Sequence, residues 1–288
     1  MRVKIITDSG SDLLQEILEG YGIDVVPLLV LLDGREYVDG RDIDAKDVYN
    51  ALREGKMPKT NQATAEAFQQ ILEPYAKSEQ PCLYIGFSSA MSGTFQAGKL
   101  VAAQLTEAYP SWECQMIDSL SGSLGQGLLV LRAARMAEQG ASLADIAQVV
   151  SAKAGHMEHI FTVDDLNHLH RGGRLSKAGA VVGSMLRIKP VLHIRDGIIE
   201  PIEKKRGKNK AIKRLVEIME QRCSGEDQVV AISHADDPEA AETLRQLVEQ
   251  QLGFKEFVIN IVGSVLGCHI GLGGVAVFFE SNTPQGQA

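Results

Sequence analysis

The sequence predicts an α/β protein of two domains. The N-terminal one has an open, mostly parallel sheet with flanking helices; the C-terminal α/β domain has hairpin-paired strands. Short apolar runs alternate with helix-period segments as far as residue 155, the rhythm of parallel β-α units. Beyond residue 160 the rhythm changes, and strand-like runs meet at a tight-turn dipeptide. A chain of 288 residues, 44% hydrophobic and 23% charged, can also bury two cores of ordinary size. The expected domains are residues 1–160 and 161–282, with a polar tail at 283–288.

Val3–Thr7 reads as a strand, followed by the helix pattern Leu13, Leu14, Ile17, Leu18 that stops at Gly20 and Gly22. Ile23–Val26 is a second strand. A β-hairpin near 28–38 turns at Asp33-Gly34, residue types that tolerate the positive φ of a primed turn. Ala45–Glu54 is a helix, and Met57–Thr64 is read as a loop whose Thr64 caps the helix Ala65–Tyr75. Strand Cys82–Phe87, helix Gly93–Ala108, strand Cys114–Asp118 and helix Leu128–Gln139 continue the alternation, and helix Leu143–Gly155 leads to strand Ile160–Val163. A short helix with a Gly-rich stop follows in DDLNHLHRGGRLS. Ala178–Leu186 then runs from small and apolar residues toward a strand, and two strands flank Asp196-Gly197. Helices at 210–222 and 238–252, with strands Gln228–Ser233, Ile259–Val262 and Val275–Phe279, complete the pattern.

The formal net charge of −8 comes entirely from residues 1–150, since 151–288 is balanced; neither half has a nucleic-acid binder's positive charge. The four cysteines are scattered without a CxxC pair, which fits reduced thiols in the cytosol better than a zinc site or a disulfide framework. No apolar run approaches the ~20 residues that cross a bilayer. The expectation is a soluble, cytoplasmic protein with no metal site.

The strand ending at Phe87 hands over to Ser88, Ser89, Ser92, Gly93 and Thr94, just ahead of a helix. Gly93–Lys99 nearly matches a nucleotide-binding phosphate loop. However, Leu100 stands where that loop needs Ser or Thr, and Gly98 and Lys99 fall inside the expected helix. What remains is a helix N-terminus with free N–H groups and added hydroxyls, either a plain cap or an anion seat. Lys59–Thr64 forms a second polar helix entrance. In an open α/β sheet, loops at the carboxyl ends of neighbouring strands converge on one crevice. His269, among Gly267, Gly271, Gly273 and Gly274, is either structural or a third contact to the same anion. Lys204–Arg214 concentrates basic residues, as a solvated stretch or a docking patch for an acidic partner. Ser233-His234-Ala235-Asp236 lies along one strand end and cannot form a triad, and His168 and His170 point to different sides of a helix.

Several stretches in order, VKIITDSGSDL, PKTNQAT, SSAMSGTFQ, LNHLHRGGRLSKAG, IKPVLHIRDGIIEPIEKKRGKNKA and GCHIGLGG, resemble the DegV family of bacterial fatty-acid-binding proteins. That family includes the acyl carriers of fatty acid kinase. The resemblance implies two α/β domains with a fatty acid held between them and no cofactor. It implies that Thr60 and Ser92 bind the carboxyl group, that His269 joins them with Asn61 alongside, and that Arg206 engages a fatty acid kinase. TNQAT stands where the family has TSQPS, and HIGLG where it has HTGPG. Ala178–Leu186 has the composition of a slot for an alkyl chain, or of ordinary helix packing. The resemblance therefore implies a non-enzymatic carrier that presents a fatty acid to a separate kinase for acyl phosphate formation. A serine-dependent hydrolase or acyltransferase using Ser92 and His269 is the alternative, and a lipid-responsive regulatory module is a third.

Overall fold

The computed structural model describes residues 1–176, 188–225 and 228–284. Ala178–Leu186 and the last four tail residues lie outside the described residues.

The first sheet is parallel throughout, in the order β2-β1-β6-β7: β1 Lys4–Asp8, β2 Asp24–Val26, β6 Cys82–Gly86 and β7 Cys114–Asp118. Its crossovers include α1 (Gln15–Tyr21), α3 (Ala65–Lys77) and α4 (Thr94–Ala108). The expected hairpin is β3 (Leu29–Leu32) and β4 (Arg35–Val38), with Asp33 at φ 52° and Gly34 at φ 78°, as a primed turn requires. The stretch 57–64, read as a loop, contains a third strand: β5 (Lys59–Asn61) pairs antiparallel with β3 to make a separate three-stranded sheet. Helix α2 (Ala45–Arg53) lies between β4 and β5, and Thr64 caps α3 by accepting from the Ala67 N–H at 3.1 Å.

The second sheet has six strands in the order β10-β9-β8-β13-β11-β12. They are β8 Met157–Thr162, β9 Ile188–Arg195, β10 Ile198–Arg206, β11 Val230–His234, β12 Phe257–Ile261 and β13 Val275–Glu280. The β9–β10 turn is at Asp196 and Gly197, both at positive φ; only β11–β12 is a parallel pair. α5 (Leu124–Glu138) and α6 (Leu143–Ala154) lead into this sheet, α7 (Asn167–Gly172) follows β8, and α8 (Lys208–Arg222) and α9 (Pro238–Leu252) flank β11. The segment around His269 is a short helix, α10 (Ser264–Ile270).

Three of the cores among the described residues fix the layers. Tyr84, Phe68 and Phe95 pack one face of the parallel sheet against α3 and α4. Leu215, Leu244 and Val277 pack the outer face of the mixed sheet against α8 and α9. Between the sheets runs a shared core in which Leu129 and Val130 of α5 meet Leu83 on one side and Phe161 and Phe278 on the other. Arg132 of α5 and Lys153 of α6 also grip the buried Glu280 carboxylate at the end of β13. α5 thus ties the two sheets together, and its N-terminus sets the geometry of the space beyond it.

Candidate functional site

The carboxyl end of β1 is closed by Asp8, which is fully buried and accepts from Tyr84 Oη at 2.6 Å, the Phe87 N–H at 2.8 Å and the Gly10 N–H at 3.0 Å. Burial pushes its carboxyl above the usual range against those bonds. This knot anchors the segment leaving β6, and Ser88 Oγ donates to the Gly197 carbonyl of the β9–β10 turn at 2.9 Å. The polar junction after Phe87 is therefore held by both sheets.

Beyond it lies a cavity whose lining is mostly apolar, including Leu28, Phe87, Phe161, Ile194, Val265 and Phe278. Thr60, Asn61, Ser92 and His269 all line it. Thr60 Oγ1, on β5, shares a 2.8 Å hydrogen bond with Nε2 of His269, in the last turn of α10. Ser92 Oγ lies 2.9 Å from Thr94 Oγ1 and accepts from the Thr94 N–H at 3.2 Å, while Thr94 Oγ1 accepts from the Ala63 N–H at 3.2 Å. Thr94 thereby joins the two helix entrances. The N-cap position of α4 is Gly93, where a Cβ would lie 2.0 Å from Gln62 Oε1, so the glycine permits the two segments to close together. Gly98 lies within α4 against Phe68, where a Cβ would come within 2.7 Å; it belongs to helix packing, not to a phosphate loop.

Asn61 is placed differently from its neighbours. It lines the cavity but is exposed, and its amide Nδ2 donates to Glu36 Oε2 at 2.9 Å. Arg206 is exposed at the end of the edge strand β10, immediately before Gly207 and α8. The hairpin that carries it also contributes Ile194 and Ile199 to the cavity.

The sequence reading gave no site role to Arg174, which also lines the cavity. Its Nε donates to the Met91 carbonyl at 3.1 Å and its Nη1 to the Gly172 carbonyl at 2.5 Å, fixing a guanidinium next to the Ser92 segment. Its signal was the second Arg of HRGGR. The first glycine of that run, Gly172, lies against the His269 ring, and a Cβ there would be 2.2 Å from Nδ1. Burial, then Arg174, then His168 push the His269 imidazole down to about 4, so it is neutral at physiological pH. Two hydroxyls, a neutral imidazole and a fixed cation lining a mostly apolar cavity form a seat for an anionic head on an apolar body. Among the described residues no cluster of His, Cys, Asp or Glu could hold a metal ion, and no helix is long and apolar enough to cross a membrane.

Fold and site together define an α/β protein built on a parallel and a mixed sheet, with a mostly apolar cavity that carries a cluster of polar side chains. The chain belongs to the DegV family: the family described as "Uncharacterised protein, DegV family COG1307" matches residues 2–282. A DegV domain-containing protein of Clostridium perfringens is 38% identical over 285 residues, 98% of each chain. Among solved structures, one reported for fatty acid binding of a DegV family protein from Thermus thermophilus superposes with a TM-score of 0.90 at 31% identity. It covers 98% of this chain and 100% of that one. DegV of Bacillus subtilis, described as a fatty acid binding protein, superposes with a TM-score of 0.83 at 30% identity, covering 97% and 100%.

Proposed function

We propose that this protein binds a long-chain fatty acid, with its alkyl chain in the apolar cavity and its carboxylate at Thr60, Ser92 and His269. The observation that carries this is the 2.8 Å contact between Thr60 and His269, residues far apart in sequence, in a cavity that Ser92 and Arg174 also line. Each buried methylene contributes about 0.8 kcal/mol, so the chain supplies most of the affinity. The carboxylate then needs a compensated seat, because an unpaired buried charge is costly. Thr60 and Ser92 donate their hydroxyl protons to it and Arg174 supplies the opposite charge. Asn61, with one amide N–H held by Glu36, borders the seat and keeps its second N–H for the carboxylate. The fatty acid likenesses among the solved relatives support the same reading.

The carrier role is part of this proposal. A separate fatty acid kinase would transfer a phosphoryl group from ATP to the bound carboxylate, giving acyl phosphate and ADP, after docking on the face that bears Arg206. The two domains would meet near residue 160, with the ligand between the sheets. The serine-hydrolase alternative needs His269 hydrogen-bonded to Ser92 as its base. Here His269 is bonded to Thr60 and Ser92 to Thr94, and an imidazole held near 4 is a weak base at neutral pH.

The test combines purified protein, palmitate, ATP and a kinase subunit, with hydroxylamine to trap acyl phosphate. Trapped product that requires both proteins, and that falls in Arg206→Ala while palmitate binding is kept, supports the carrier. Turnover of an acyl ester by this protein alone, abolished in Ser92→Ala, would replace the carrier with the hydrolase.

A further inference from the structure

We infer that the cavity holds a second polar subsite, centred on His159, that reads an uncharged hydroxyl group partway along the acyl chain, making oxygenated fatty acids preferred ligands. The inference rests on the fatty-acid reading above and narrows its substrate class.

His159 lies on β8, in the interior of the six-stranded sheet, and lines the same cavity as Thr60 and Ser92. Its side chain is fully buried, yet neither ring nitrogen has a hydrogen-bond partner. The Met157 backbone is close enough to act on the ring, which engages one nitrogen at most and leaves the other over. Buried polar atoms are almost always paired, so an imidazole with spare capacity facing a cavity calls for a partner from within that cavity. The buried Thr162 Oγ1, on the same strand and also lining the cavity, is likewise unpaired.

The ring's position is built in rather than incidental. It stands edge-on to Phe278, with centroids 5.6 Å apart and planes at 86°, and Nε2 lies where a Cβ on Gly125 would come within 2.3 Å. Gly125 is in the first turn of α5, the helix that ties the sheets together, so the ring occupies a notch left by a missing side chain. A methyl there would displace the imidazole.

The chemistry of the notch selects the partner. Burial pushes the imidazole down to about 3, so it stays neutral and presents one donor and one acceptor. A charged group would be poorly matched in so apolar a lining, and a plain methylene leaves both nitrogens unsatisfied. A hydroxyl answers whichever nitrogen faces the acyl chain, because one small atom can donate to the acceptor nitrogen or accept from the donor one. Discrimination by such a site is strong in this direction, since a ligand lacking the group strands the buried polar atoms.

The test measures stearate and a series of hydroxystearates, differing only in hydroxyl position, against wild type, His159→Leu and His159→Gln. Wild type is expected to prefer at least one positional isomer over stearate by roughly tenfold. His159→Leu should take stearate at least as well as wild type and lose that preference, and His159→Gln, which keeps a donor and an acceptor, should retain part of it. Stearate bound in preference to every hydroxystearate, or a preference that survives His159→Leu, overturns the subsite and leaves the fatty-acid reading standing. Failure to take up stearate or any hydroxystearate overturns that reading, and the subsite with it.

Discussion

Replacing Thr60 by Val isolates what the carboxylate seat contributes, because the two side chains have nearly the same shape and differ by one hydroxyl. Thr60 is half-buried, and its Oγ1 lies 2.8 Å from His269 Nε2. With a fatty acid bound, that hydroxyl donates to the carboxylate, and a hydrogen bond to a charged group contributes about 1.5–3 kcal/mol. Partial exposure places Thr60 at the lower end, so Thr60→Val should weaken palmitate roughly tenfold. Hexadecanol, with the same chain and no charge, should lose only about threefold, since a neutral bond contributes about half as much. Calorimetric titration of both ligands into both proteins measures the difference directly. Equal losses for acid and alcohol would mean that Thr60 shapes the cavity without reading the carboxylate. No loss for palmitate would remove Thr60 from the seat altogether.

Other perturbations probe neighbouring parts of the site. Gly172→Ala puts a methyl 2.2 Å from His269 Nδ1, so the ring should shift and palmitate should bind more weakly, while the overpacking costs about 1–3 kcal/mol of stability; intact binding would refute the close packing. Arg174→Gln removes a charge that depresses His269, so the imidazole should titrate above about 4 in an NMR pH series; an unmoved titration would show that the guanidinium does not act on the ring. Asp12, buried and accepting from Ser123 Oγ at 2.6 Å and the Gly263 N–H at 3.0 Å, has its carboxyl pushed up to about 8 by burial. The folded state then keeps a proton that the unfolded chain releases near pH 4, so stability should fall as pH rises from about 4 to about 8. Urea unfolding across that range should show a shallower decline in Asp12→Asn than in wild type, and parallel profiles would contradict the assignment.

Local chemistry made some elements legible in the sequence. Asp33-Gly34 and Asp196-Gly197 announce turns through their tolerance of positive φ, and Thr64 announces the start of α3. Other elements depend on partners distant in the chain. Lys59–Asn61 is polar and only three residues long, and becomes a strand because β3 offers it an edge. The first turn of α5 carries Gly125 and Gly127, which look like a turn but make room for His159 and for Leu13. α10 was hidden in the same way: Gly267 packs against Tyr49, while Val265 and Cys268 give the segment its buried face. Thr60, Ser92 and His269 were named from polar loops and from the family resemblance, and all three line the cavity. Asn61 was named with them and also lines the cavity, with Nδ2 held by Glu36, a partner no short motif reveals. Arg174 lacked a site role for a similar reason, since its position follows from carbonyls at Met91 and Gly172.

Native mass spectrometry of the purified protein, followed by denaturing extraction and identification of what it carries, tests the central claim most directly. The account predicts one fatty acid per chain in wild type and its loss in the double variant Thr60→Val/Ser92→Ala. A protein that emerges empty and ignores added palmitate, or a double variant that retains its lipid in full, would contradict it.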